Sequence, residues 1–320
     1  KNVLIFGAGS IGNHMAYACR KLKLTVYITD IDPSALFRMK NSIYPTRYGL
    51  WDKNIKIINF KKIYKLNIFF DLIIIGTPPE THYEVYKYCK SNLKYKRVLI
   101  EKPIINYSNK NLNNFIKIIK NDLVFCGYNH SISPSFTYFL KNIIKEKKIN
   151  KIDVKWCESW KGIMNAHYWL KNEFSSYLGN YDKGGGAFQE HSHGLHLLIL
   201  IIKKILKLKI NSFKIKSISL FKKFKNKKYD IFSILAGYKK NVQFNYSTDL
   251  NTFPAQKKII IYGNNKTYEW YCGYNKNYDI VKIKLLNKLL SIKKFKKTRS
   301  SEFENELKHI LKINNQIDMK

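Results

Sequence analysis

Val3-Leu4-Ile5-Phe6-Gly7-Ala8-Gly9-Ser10-Ile11-Gly12 decides the fold. An apolar run ends at a glycine, further glycines follow at positions 9 and 12, and a helical pattern starts at once. Strand, glycine turn and helix in that order form the context of a dinucleotide fingerprint, in which one glycine turns the chain, one admits pyrophosphate to the backbone and one packs helix on strand. A ligand-free glycine turn would read the same way, so the segments downstream must decide. Asp30 closes the second apolar run, Val26-Tyr27-Ile28-Thr29. A carboxylate there can accept bonds from both ribose hydroxyls and repels a 2′-phosphate, which favours NAD over NADP. Asp32 suits the cap of a helix opening at Pro33.

Outward from that turn, apolar runs at 55–60, 72–75, 98–100 and 123–125 alternate with helical patterns at 81–93 and 109–119. This rhythm predicts an α/β fold with a doubly wound parallel sheet, a Rossmann domain over residues 1–129. Beyond residue 130 the strands lengthen, at 151–160, 213–221, 229–238, 242–247 and 257–262, with one long helix from about Ala187 to Leu206. That pattern predicts a second α/β domain, residues 130–320, on an open and largely antiparallel sheet. A helix capped by Ser301 is expected over Glu302 to Ile313.

The 320 residues carry a formal charge of +36, which raises nucleic acid as a partner. The lysines are spread through every segment together with Ile and Asn, the pattern that codon usage in an AT-rich genome produces. We therefore expect solvated lysine faces and no nucleic-acid role, with anionic-substrate steering as the reading in between. Five cysteines, odd in number and without a Cys-x-x-Cys, give neither a disulfide framework nor a zinc site. The chain enters a strand at once and its longest apolar run is far too short for a bilayer, so no membrane role and a cytoplasmic location are expected.

Three further segments carry chemistry. Gly76-Thr77-Pro78-Pro79-Glu80-Thr81-His82 follows the fourth strand, where two prolines make a rigid wall for a ribose or nicotinamide; Thr-Pro-Pro also suits an ordinary strand-to-helix turn. Glu101-Lys102-Pro103 follows the fifth strand and sets a lysine beside a rigid proline. Gly184-Gly185-Gly186 precedes a helix bearing Glu190, His191, His193 and His196.

In this order and spacing, with Gly127-Tyr128-Asn129 and Pro134-x-Phe136, these segments resemble the glucose-fructose oxidoreductase/inositol dehydrogenase (Gfo/Idh/MocA) family over about 200 residues. The resemblance implies NAD-dependent oxidation or reduction at a secondary alcohol or ketone of a sugar, cyclitol or nucleotide-linked sugar. It implies cofactor contacts from Gly7, Gly9, Ser10, Ile11, Gly12, Asp30, Thr77, Pro78, His82, Glu101 and Lys102, and a Lys102–Pro103 bond in cis. Lys102 is the implied catalytic lysine, and a cation beside a developing alkoxide stabilises charge in any case.

Many members of that family follow the glycine triplet with an acid and, four residues on, a histidine. Here Glu190 matches the acid but Gly194 stands at the fourth position, while Glu190-x-Ser192-His193 resembles a branch acting in surface-sugar pathways. His193 is the expected general base, sharing a helix face with Glu190 at i+3; His191 and His196 compete for the role. Asn129, His167, Trp169 and Tyr181 are expected to line the substrate cleft. A non-catalytic NAD-binding sensor or pathway subunit is the alternative, motivated by Gly194. The exposed face of an open sheet suggests a homo-oligomer, a dimer or a tetramer.

Overall fold

The computed structural model describes residues 1–106, 109–146, 148–275 and 277–312. The chain forms two compact units, Lys1–Asn129 together with the segment from Arg299, and His130–Thr298.

Among the described residues the first unit holds eight strands: β1 Asn2–Phe6, β2 Thr25–Thr29, β3 Ile55–Ile57, β4 Phe69–Phe70, β5 Leu72–Ile75, β6 Lys94–Tyr95, β7 Val98–Ile100 and β8 Val124–Cys126. Six make a parallel sheet in the order β3-β2-β1-β5-β7-β8, and β4 and β6 pair separately. Helices α1 Ser10–Lys21, α2 Pro33–Arg38, α3 Tyr44–Tyr48, α4 His82–Asn92 and α5 Leu112–Ile119 intervene. Because side chains alternate along a strand, Val3, Ile5, Ile74 and Leu99 enter one core while Leu4, Phe6, Ile73, Ile75, Val98 and Ile100 enter the other. Near-continuous apolar strands are what two covered faces require. Strand order departs from β1 in both directions, so the loops after β1 and β5 flank the switch point where ligands collect in such sheets.

The second unit is an eight-stranded sheet of β9 Ile149–Cys157, β10 Lys214–Phe224, β11 Lys227–Lys239, β12 Val242–Asp249, β13 Gln256–Gly263, β14 Lys266–Tyr271, β15 Tyr278–Leu285 and β16 Lys288–Lys296. Its order is β10-β11-β12-β9-β13-β14-β15-β16, antiparallel except between β12 and β9. Helices α6 Pro134–Ile143, α7 Trp160–Ala166, α8 Ala187–Glu190 and α9 Ser192–Lys204 accompany it. Phe136 and Phe139 from α6 and Leu197, Leu198, Ile201 and Ile202 from α9 bury one face against Ile152, Trp156, Tyr246 and Ile259.

Several expectations shift. The strand expected to reach Trp160 stops at Cys157, and Trp160 opens α7. The long helix from Ala187 is two helices broken at His191, whose φ of −93° and ψ of 19° leave the helical path. β14, β15 and β16 extend the antiparallel sheet beyond the strands that were expected.

The last helix, α10 Arg299–Lys312, starts before Ser301 instead of being capped by it, and Ile313 lies outside the described residues. It belongs to the first unit, whereas the sequence reading had placed it in the second domain. The reason is its stripe of Phe303, Leu307 and Ile310, which is buried in the same core as Val3, Ile5 and Leu99. Among the described residues no helix is long and apolar enough to cross a membrane.

Candidate functional site

At the carboxyl edge of the parallel sheet, the glycine turn is fixed by contacts that only glycine allows. Gly7 has a φ of +102°, its N–H donates to the Thr29 carbonyl at 2.9 Å, and a Cβ on it would stand 2.7 Å from the Gly76 oxygen. A Cβ on Gly12 would lie 1.9 Å from the Gly7 oxygen, so α1 can start against the turn only without a side chain there. Gly9 differs, because a Cβ on it would meet nothing within 4 Å. Two glycines thus close the turn and the third leaves open space beside the first turn of α1, the cradle that a pyrophosphate needs.

Asp30 ties the turn to β2. Its Oδ2 accepts from Ala8 N–H at 2.8 Å and its Oδ1 from Asp32 N–H at 2.9 Å. Each oxygen keeps a second lone pair, so the carboxylate can still receive ribose hydroxyls. Asp32 caps α2 by accepting from Ser34 N–H, and these bonds hold its carboxyl below the usual range.

Loops after β5 and β7 lie beside that turn. Gly76 N–H donates to Phe6 O at 2.9 Å and Glu101 N–H to Ile75 O at 3.0 Å, which extends the ladder through both loops. Thr81 donates its hydroxyl to Thr77 Oγ1 and Pro78 O, at 2.8 and 2.7 Å. His82, expected among the cofactor contacts, is wholly buried with Nε2 2.7 Å from Thr77 O and Nδ1 3.0 Å from Ile104 O. Burial lowers its pKa, against the opposing pull of the backbone carbonyls around it. His82 therefore braces the loop after β5 against the one after β7, its nitrogens spent on backbone.

The Lys102–Pro103 peptide is cis. Glu101 is 6% exposed, and its carboxylate occupies the place where a Gly127 side chain would be, 2.7 Å from an ideal Cβ. Asn129 is 7% exposed, and its Oδ1 has no hydrogen-bond partner among the described residues.

The segment with the acid and histidines lies in the second unit. Gly186, at φ +91°, passes so close to buried Asp230 that a Cβ would stand 2.0 Å from its Oδ1. Asp230 Oδ2 accepts from Phe188 N–H at 2.8 Å and Ser233 Oγ at 2.7 Å, capping α8. From β12, Tyr246 donates to His191 O at 2.9 Å and Thr248 to Ala187 O at 3.2 Å. Three sheet side chains thus fix where Glu190 and His193 leave the backbone. Because the helix is interrupted at His191, the two reach their places across a junction and not as an unbroken i+3 pair.

His193 stands edge-on to His130, ring centroids 4.6 Å apart, with Trp156 at 6.0 Å. His130, 7% exposed, is a neighbour that sequence reasoning passed over although it directly follows Asn129. Ser192 is buried, and its hydroxyl has no hydrogen-bond partner among the described residues. Gly194 faces the sheet, where a Cβ would come within 2.8 Å of both Trp156 Cβ and Tyr246 Cε2. No histidine fits at that position. His196 is a poor competitor as base, since burial and then Lys204 pull its pKa down to about 4.

The expected cleft aromatics fall into two groups. His167 bonds through Nδ1 to Ile163 O at 2.8 Å and packs on Trp169, centroids 5.3 Å apart. Tyr181 packs on Phe221 at 5.3 Å, and its carbonyl accepts from Gln189 Nε2 at 3.0 Å. Tyr181 is thereby linked to α8, whereas His167 and Trp169 close the end of α7.

No protein-family model matches the chain, and no curated protein matches it in sequence. Solved structures share its fold. They include levoglucosan dehydrogenase in complex with NADH and L-sorbose (13% identity, 95% of this chain and 82% of that one, TM-score 0.65). KijD10, a 3-ketoreductase from Actinomadura kijaniata in complex with NADP and TDP-benzene, is another (11%, 97% and 88%, 0.68). UDP-N-acetylglucosamine 3-dehydrogenase GnnA from Acidithiobacillus ferrooxidans is a third (11%, 97% and 87%, 0.67). The fold is the Rossmann and open-sheet α/β architecture that the resemblance implied.

Two outcomes follow from the second unit. Gly194→His, which restores the residue many relatives carry, should lower stability by about 1–3 kcal/mol through overpacking against Trp156 and Tyr246; an unchanged urea midpoint would contradict this placement. His196 binds its proton more weakly folded than unfolded, so the stability it contributes is intact above about pH 6.5 and is lost as pH falls toward 4. Melting curves across that window should fall less steeply in His196→Gln, and parallel curves would count against a neutral buried ring.

Proposed function

We propose that this protein is an NAD-dependent oxidoreductase that moves hydride to or from a secondary alcohol carbon of a sugar or nucleotide-linked sugar. One observation carries the reading: the Gly7 turn, the Thr77 loop and the Glu101-Lys102-Pro103 turn leave adjacent strands β1, β5 and β7 at the same sheet edge. The open space at Gly9, the carboxylate of Asp30 and the free acceptor of Asn129 suit a dinucleotide. Solved structures of this fold include complexes with NADH and with NADP, one with L-sorbose and one with a TDP compound. Asp30 favours NAD here, because a 2′-phosphate would meet its charge.

When bound, NAD supplies the hydride acceptor. The chain supplies the rest. Gly7, Gly9, Ser10, Ile11 and Gly12 seat the pyrophosphate; Thr77, Pro78 and Glu101 wall the ribose and nicotinamide side. Lys102 steadies the substrate oxygen as negative charge develops on it. His193 takes the hydroxyl proton, Glu190 orients it or binds substrate, and Asn129 offers its oxygen to a hydroxyl. His167, Trp169 and Tyr181 contribute sugar contacts.

Gly194, which motivated the non-catalytic alternative, packs against Trp156 and Tyr246 where a side chain does not fit. Exposed Ile218, Leu220 and Phe224 on edge strand β10 favour self-association through the open sheet; sedimentation as a monomer at micromolar concentration would count against it.

Lys102→Ala and His193→Ala should each lower kcat by roughly 100-fold or more on an accepted nucleotide-sugar, with NAD affinity changed only a few-fold. Wild-type turnover retained in both variants would refute the assigned roles, and no turnover across a sugar and nucleotide-sugar panel would favour the sensor reading.

A further inference from the structure

Glu306 is a buried acid that the proposed chemistry does not use. It sits on the inward stripe of α10, Phe303, Glu306, Leu307 and Ile310, at i, i+3, i+4 and i+7. The other three positions are apolar core, and Glu306 itself is 4% exposed. Its Oε2 has no hydrogen-bond partner among the described residues. A buried carboxylate oxygen with no donor disfavours the charged form.

The sheet determines what Glu306 faces. Leu99 enters the core that holds Phe303, Leu307 and Ile310, and Glu101, two residues on, continues on the same face. Phe125 packs on that core too, and Gly127 follows it by two residues. With no side chain at 127, the Glu101 carboxylate settles over that backbone. Burial, and then the neighbouring Glu101 and Glu302 carboxylates, raise the Glu306 pKa well above the usual carboxyl range.

Other groups share the neighbourhood. The Cys126 thiol, at the end of β8, is pushed up by burial and by both Glu101 and Glu306, and Lys102 opposes them. From α1, His14 stacks on Phe303 with centroids 5.1 Å apart, and Arg299 lies over the same ring.

We propose that Glu306 is the positioning residue of the Glu101-Lys102-Pro103 turn, a neutral carboxylic acid at physiological pH that lets the facing pair hold one negative charge. The role of the turn rests on the proposed function; the proton on Glu306 does not. A second charge would repel Glu101 from its seat over Gly127 and add negative potential at Lys102, the next residue in the chain. Glu306→Gln keeps the shape and the neutrality, so it serves as the locked form.

Infrared difference spectra of cofactor-free protein at pH 8, wild type minus Glu306→Gln, should show one protonated-carboxyl band belonging to the wild type. Absence of that band overturns the proposal. Acetylation of Lys102 by acetic anhydride, followed by mass spectrometry against pH, reads the positioning half. Above the pH at which the band titrates, wild-type Lys102 should react at a rate that departs roughly threefold or more from that in Glu306→Gln, because a second negative charge displaces Glu101 and the turn that carries Lys102. Superimposable profiles overturn the positioning role. Glu306→Met, neutral and of similar length, repeats both measurements if the glutamine variant does not fold. Neither readout needs turnover, so an inactive wild type would speak against the oxidoreductase reading alone.

Discussion

Backbone crowding at the carboxyl edge of the parallel sheet is the constraint on which the first unit depends. The turns after β1 and β5 approach so closely that residue 7 has no room for a side chain, residue 12 has none against the Gly7 carbonyl, and the Glu101 carboxylate fills the room that Gly127 leaves. Glycine makes this possible at a cost in chain entropy, offset by the apolar burial of both sheet faces. What results is a rigid rim of loops carrying Asp30, Thr77 and Lys102. His82 links two of those loops through the Thr77 and Ile104 carbonyls, in a place where burial lowers its pKa.

The second unit uses the same device for a different purpose. Gly186 and Gly194 let the segment around Glu190 and His193 lie directly on the sheet, where Asp230, Tyr246 and Thr248 bond to its backbone. The break at His191 is the price of meeting those three partners at once. A histidine at position 193 escapes the crowding that excludes one at 194, which gives a physical reason for the displaced motif.

Much of this was legible in the chain, and the limits are instructive. The parallel strands could be read because both faces are covered, so each is an unbroken apolar run such as Leu72–Ile75. Strands β14 and β16 were not: Lys266–Tyr271 is short and mixed, and Lys288–Lys296 is exposed along its length, so neither shows a buried alternation. The stripe on α10 announced a buried helix without saying which core it would join. Nor could spacing reveal that His130 lies against His193, or that His82 reaches the Ile104 carbonyl, since both depend on contacts distant in sequence.

The central claim is that the glycine turn and Asp30 form a site for NAD. Fluorescence titration of the purified protein with NADH and NADPH tests it most directly. The account predicts saturable NADH binding with clearly weaker NADPH binding, because Asp30 opposes a 2′-phosphate. Absence of saturable binding by either nucleotide would contradict it.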